Sequence, residues 1–185
     1  REIGVADATQ PDTPTALSRG AHVVVDPAGP FLIYGEPVVR AALAAGAHFL
    51  DTTGEQAYMN RMLERYHGSA KEKRLAIVNA QAFEFAIGYA AAALLAELRP
   101  ELDTIDVFNR VAGFGATRGT QKSGLPAITE QALVRRNGRL VRRGNSPLPL
   151  WVKVPDSDAK ERAVPFPGGE ALHLAHVHPN VKNVT

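Results

Sequence analysis

Two short stretches of this chain combine residue types and spacing suited to holding a small ligand. Ala28-Gly29-Pro30-Phe31 can bring bare backbone against a flat ring, because Gly29 has no side chain and Pro27 and Pro30 stiffen the loop. Asp51-Thr52-Thr53-Gly54-Glu55 gathers acceptors and donors that suit a hydroxylated or charged ligand. Each stretch also has a plainer role. The first works as a rigid connection, and the second as a helix cap in which a threonine hydroxyl accepts from the next helix's free N–H groups. Further along, Gly113 to Thr120 is glycine-rich and carries Arg118, with Lys122 close by. It lacks the G-x-x-x-x-G-K-[ST] order of a phosphate loop, which leaves an Arg118 contact to an anionic substrate or an ordinary surface turn. His173, His176 and His178 invite a metal reading. As a strand, however, that segment puts His176 and His178 on one face and His173 on the other, and there is no cysteine to complete a set. G-x-S-x-G, H-E-x-x-H and C-x-x-C are all absent, and no G-x-G-x-x-G opens a helix after a strand.

The first two stretches are positioned by alternating strands and helices. Val23 to Val25 is a β-branched run of the kind buried on both faces of a sheet, stopped by Asp26-Pro27-Ala28-Gly29-Pro30. The sequence predicts a helix opening at Gly35-Glu36-Pro37, with Pro37 in its first turn, Glu36 at the positive end of the dipole and Gly46 as its stop. A strand at His48–Leu50, an amphipathic helix from Gln56 to Tyr66, a strand within Leu75–Val78 and an alanine-rich helix from Ile87 to Leu98 follow. Upstream, Arg1 to Ala6 reads as a strand and Thr15 to Gly20 as a short helix. This alternation argues for a parallel sheet with helices on its faces. Both candidate loops then fall at strand carboxyl ends, the edge where open parallel sheets take ligands.

From residue 104 the character changes. Thr104 to Val111 alternates with period two, Leu125 to Gln131 suggests a short helix, and Asn137-Gly138 marks a hairpin. The pieces W-V-K-V, R-A-V-P-F and A-L-H-L read as short strands of a small antiparallel or mixed lobe. The expected division is 1–103 and 104–185.

Composition narrows the function classes. The 185 residues are 45% hydrophobic and 22% charged, ordinary for a globular protein. With 21 Lys and Arg against 19 Asp and Glu, the formal charge of +2 argues against nucleic acid or an anionic membrane as the main partner. The lack of cysteine removes disulfides, thiolate nucleophiles and thiolate metal sites. The apolar stretch around Ala90 to Ala96 is too short to span a bilayer, and no signal peptide is visible. A start at Arg1, in front of a strand-like run, suggests a fragment.

Four blocks together carry a resemblance: V-V-V-x-x-A-G-P-F-x-x-Y-G-E-P-V-V, then A-x-x-A-G-A-H-F-L-D-T-T-G-E-Q, then G-A-T-R-G-T-x-x-S-G, and late P-F-P-G-G-E with V-K-N-V. The chain resembles the saccharopine dehydrogenase-like oxidoreductases, which include the trans-acting enoyl reductases. The resemblance implies an α/β fold: an incomplete Rossmann-type parallel sheet with helices on both faces, joined to a smaller α+β substrate or dimerisation lobe. It implies hydride transfer between NAD or NADP and an imine or activated alkene. Ala28, Gly29, Pro30, Phe31, Asp51, Thr52, Thr53 and Gly54 would border the cofactor, and Glu55, Thr117, Arg118 and Thr120 the substrate. Where relatives read G-F-D-x-x-P-x-D, this chain reads A-F-E-F-A-I-G-Y, so Glu84 and Tyr89 are the catalytic candidates at that strand end. The family's opening G-x-G-x-x-G segment is missing, and with it the helix N-terminus that holds the pyrophosphate, so weak dinucleotide binding is expected of this chain. A small-molecule substrate, a homodimer formed through the second lobe and a cytoplasmic location complete the expectation. The alternative is a catalytically silent scaffold relative that binds no dinucleotide.

Overall fold

The computed structural model describes residues 3–10, 12–111, 115, 132–143, 150–154, 159–164 and 166–185. The chain divides into two units, the first running up to Ala86 and the second built chiefly from Ile87 onward.

The first unit is a three-stranded parallel sheet in sequential order, β1 (Val23–Asp26), β2 (His48–Asp51) and β3 (Ile77–Val78). Two long helices make the crossovers, α2 (Phe31–Ala45) and α3 (Gln56–Glu72), and a short α1 (Asp12–Leu17) precedes the sheet. Phe31, Val39, Ala42 and Leu43 of α2 bury against Phe49 of β2 and Tyr58, Met62 and Ala70 of α3. The helices come closest at Gly35, where an added Cβ would lie 2.7 Å from the Tyr58 ring. A second tie holds their outer faces: Tyr66 donates to Glu36 Oε1 at 2.8 Å and Arg65 to the same carboxylate at 2.9 Å. Gly46 ends α2 as expected, in the left-handed region (φ 72°) that a residue without Cβ adopts freely.

Several expectations are corrected here. Residues 3–7 form no strand, and Ile3 and Val5 point to solvent. The first helix starts at Asp12 rather than Thr15. Helix α2 starts at Phe31, so Pro37 lies inside it and Glu36 faces Arg65 and Tyr66 instead of the dipole. The earlier start is stabilised from a distance by Glu55, as described below.

The second unit takes most of α4 (Phe83–Leu98), whose Ala92 and Ala96 share a core with Ile105, Ala171, Leu174, Val181 and Val184. That shared core is why the division falls within this helix and not after residue 103. Its main sheet has four strands in the order β4 (Thr104–Ile105), β9 (Asn183–Val184), β5 (Leu133–Arg136) and β6 (Arg139–Arg142). β4 and β9 pair parallel and the rest antiparallel, so the lobe is mixed. The β5–β6 hairpin turns at Asn137 and Gly138, both at positive φ (50° and 77°), as the Asn-Gly pair predicts. β7 (Leu150–Lys153) and β8 (Lys160–Ala163) form a separate hairpin. Two readings fail in this unit. Only two residues of the alternating run 104–111 pair as a strand, and A-L-H-L belongs to a helix, α5 (Glu170–Val177). The helix expected at Leu125–Gln131 lies outside the described residues. No described helix is long and apolar enough to cross a membrane.

Candidate functional site

β1 and β2 are adjacent and parallel, with Asp26 opposite Asp51. Their carboxyl ends therefore lie side by side, and the loops that follow emerge on the same edge of the sheet. The first loop presents Pro27, Ala28 and Gly29 to solvent, and the second presents Thr52. An added Cβ at Gly29 would meet the Phe31 ring at 3.3 Å, so the glycine also serves the tight entry into α2.

Glu55 joins the two loops. Its Oε1 accepts from Phe31 N and its Oε2 from Leu32 N, both at 2.8 Å. The first two N–H groups of α2 thus find their acceptor on a buried carboxylate 24 residues downstream, which also complements the helix dipole. The same contact decides what the site can hold. The N-terminus of α2 already carries an anion, so it offers no seat for a phosphate.

Asp51 anchors the second loop from below. Its Oδ1 accepts from Thr53 N at 3.1 Å and Ala80 N at 2.9 Å, and its Oδ2 from Asn79 Nδ2 at 2.6 Å. Thr53 Oγ1 accepts from Glu55 N at 3.0 Å, so the threonine hydroxyl serves the residue just before α3. Among the described residues, Asp26 accepts only from Ala28 N, at 3.0 Å, and its second oxygen is buried without a partner. Burial pushes both carboxyls above the ordinary aspartate range, against the opposing pull of these bonds. Tyr58 rises through α3 beneath them. Burial first, then the charges of Asp51 and Asp26 and a hydrogen-bonding interaction with the Asp51 side chain, hold its phenol far above the usual tyrosine value.

The residues named from sequence divide accordingly. Ala28, Gly29, Pro30, Phe31, Asp51, Thr52, Thr53, Gly54 and Glu55 come together at one sheet edge. Within that group, Phe31, Asp51, Thr53 and Glu55 are buried and hold the loops, while Ala28, Gly29 and Thr52 are exposed. Glu84 belongs to the first turn of α4; Tyr89, further along that helix, packs half-buried against the second unit's core, and burial raises its phenol. Thr117, Arg118 and Thr120 lie outside the described residues. His173 and His176 fall three residues apart on α5, and burial, with His176 beside it, holds His173 below the ordinary histidine value. Among the described residues no group of three or more His, Cys, Asp or Glu is placed to share a metal ion. Sequence reasoning missed Asp26 as part of the site. Its signal was there: an aspartate closing a β-branched run, matched by another closing the next strand.

No protein-family model matches the chain. Individual proteins do. A nematode (Caenorhabditis elegans) protein named as lipid droplet localized is 28% identical over 182 residues, covering 90% of this chain and 42% of its own. A Mycobacterium tuberculosis protein designated a trans-acting enoyl reductase is 40% identical over 82 residues, 44% of this chain and 20% of that protein. The human saccharopine dehydrogenase-like oxidoreductase is 25% identical over 142 residues, 73% of this chain and 33% of its own. Among solved structures, yeast (Saccharomyces cerevisiae) saccharopine dehydrogenase (L-Glu forming) superposes with a TM-score of 0.53 at 12% identity, over 98% of this chain and 42% of that one. That likeness fixes the fold as Rossmann-like α/β. The chain is similar to saccharopine dehydrogenase-like oxidoreductases, and it spans less than half the length of the proteins it matches.

Proposed function

We propose, with that similarity as the premise, that this chain forms part of an NAD(P)-dependent oxidoreductase acting on an imine or activated alkene. The observation that carries the reading is the pair of neighbouring strand ends, Asp26 opposite Asp51, whose loops leave Ala28, Gly29 and Thr52 open on one edge. A bound nicotinamide would supply the hydride. The chain's own part is to orient it: the Ala28–Gly29 backbone offers a close, flat approach, Thr52 a hydroxyl, and Glu55 holds the two loops at a set spacing through Phe31 and Leu32. Described residues suit the ring end of such a cofactor and not its pyrophosphate, because the α2 N-terminus is already filled by Glu55. Pyrophosphate contacts come from elsewhere in the whole protein, and affinity for this chain alone is weak.

Saturation-transfer NMR with NADPH tests this reading. Transfer is expected to the nicotinamide protons and little to the adenine protons; no transfer, or transfer centred on adenine, would refute it. The substrate is a small molecule met on the same edge, Thr117, Arg118 and Thr120 are its expected contacts, and Glu84 and Tyr89 remain the proposed acids. The second unit would form a homodimer. Its β7–β8 hairpin exposes Leu150 and Trp151, and a lone two-stranded hairpin gains little stability without a surface to pack on. The same hairpin would serve a catalytically silent scaffold, which the NADPH experiment separates from the enzyme. We place the protein in the cytoplasm, to which a lipid droplet also presents its surface.

A further inference from the structure

Residues in register on neighbouring parallel strands point their side chains to the same face, with backbones about 4.8 Å apart. Asp26 and Asp51 are such a pair. Asp26 is 6% exposed and Asp51 0%, and among the described residues no Lys, Arg or His donates to either carboxylate. Two unneutralised charges this close, away from water, repel strongly, and the usual resolution is that one of them stays protonated. The hydrogen bonds decide which. Three donors converge on Asp51, from Thr53, Ala80 and Asn79, the environment of an anion. Asp26 receives one donor, at Oδ1, and leaves Oδ2 bare. A buried oxygen without a donor suits an O–H. Near both carboxyls lies the fully buried Tyr58 hydroxyl, which interacts with the Asp51 side chain and can accept from a proton on Asp26 while it donates to Asp51.

We propose that at neutral pH Asp26 carries a proton and Asp51 does not, and that this single proton, with the Tyr58 hydroxyl, holds together the strand ends beneath the two loops. Asp26 is then a positioning residue. Its other oxygen holds Ala28, the second residue of the first loop, while Asp51 holds Thr53 of the second. Removing the proton places a second negative charge under both loops. Among the described residues, the neighbouring groups do not relieve it. Glu36 of α2 adds negative charge near Tyr58, the Glu55 carboxylate is engaged with Phe31 and Leu32, and the end of β3 contributes only Asn79 and Ala80. The assignment is independent of whether a dinucleotide binds above it.

The linkage sign follows. The folded chain holds this proton more tightly than the unfolded one, as the raised Asp26 carboxyl agrees. Stability therefore falls as pH rises from the ordinary aspartate range through the folded midpoint. Carboxyl 13C NMR titration of the whole chain reads the proton directly. Asp26 is expected to keep its protonated shift at a pH where Asp51 and the exposed aspartates have ionised, with the Ala28 amide moving at the Asp26 midpoint. Asp26→Asn should flatten the pH dependence of Tm without lowering Tm at neutral pH, whereas Asp51→Asn should lower it. The proposal is overturned if Asp26 ionises with the exposed aspartates, if Asp51 is the protonated partner, or if added Mg²⁺ moves the midpoint, which would mark a cation in the proton's place. Should a variant fail to fold, the titration of the unaltered chain still decides.

Discussion

Glu55 links the two loops of the candidate site, and removing its carboxylate tests whether that link holds them. Glu55→Ala deletes both acceptors at 2.8 Å and leaves the Phe31 and Leu32 N–H groups without partners. A hydrogen bond to a charged group contributes about 1.5–3 kcal/mol, but water can reach part of this helix end once the side chain is gone. Loss of a helix cap costs about 0.5–2 kcal/mol. Combining the two bonds with partial rehydration gives about 2–3 kcal/mol for Glu55→Ala. Glu55→Gln keeps one acceptor and turns an amide NH₂ toward the other N–H, so about 1–2 kcal/mol is expected. At about 2–4 °C per kcal/mol, the alanine variant should melt roughly 5–10 °C lower. Amide hydrogen exchange at Phe31 and Leu32 is the matched local assay, with urea denaturation followed by circular dichroism. A Glu55→Ala loss below about 0.5 kcal/mol, with exchange at both amides unchanged, would refute the cap and the spacing argument built on it.

Further outcomes follow from single contacts. Gly35→Ala would place a methyl 2.7 Å from the buried Tyr58 ring, and about 1–3 kcal/mol of destabilisation in a urea melt is expected from such overpacking. Gly138→Ala forces a Cβ onto φ 77° and should lose about 1 kcal/mol, read by the same melt, while Asn137→Gly should be near neutral. Tyr66→Phe removes the bond to Glu36 and should lose about 0.5–1.5 kcal/mol at neutral pH. Burial tends to raise the Glu36 carboxyl, but the bonds from Tyr66 and Arg65 prevail and hold it below the ordinary glutamate range. Its contribution is therefore present above that range and lost as pH falls through the folded value, so Tyr66→Phe and the unaltered chain should converge in acid.

The sheet edge was legible because its signals are local. The Val23–Val25 run, the Gly46 stop and the Asn137-Gly138 turn each act within a few residues and formed their elements, although Val23 and Val25 are exposed, so β1 is not buried on both faces as its run predicts. The start of α2 was not, because its cap is Glu55, which meets Phe31 only after β2 is in place beside β1. Local rules placed Pro37 in the first turn, whereas the long-range cap starts the helix six residues earlier, and α2 forgoes one backbone bond because Pro37 has no N–H to donate. In the second unit, A-L-H-L alternates as a strand would, yet Ala171, Leu172 and Leu174 bury together from a helix. Packing overrode period there. The run from Thr104 shows the reverse: alternation continues to Val111, but only Thr104 and Ile105 pair in register with β9, and one further bond, from Val107 N to Thr185 O, extends the contact. At the candidate site, the two loops were readable as sharing one strand-end edge, and which of their residues are buried was not, since Glu55 meets Phe31 and Leu32 only across the sheet.

The central claim, that the Gly29 and Thr53 loops border one crevice for a nicotinamide, is most directly tested by mapping ¹H–¹⁵N shift changes on the 185-residue chain as NADPH is added to millimolar concentration. Weak binding is expected, with changes concentrated at Ala28, Gly29, Phe31, Thr52 and Gly54. Changes centred elsewhere, or none at these amides, would contradict the shared crevice. Micromolar affinity would contradict the conclusion that the α2 N-terminus is closed to phosphate.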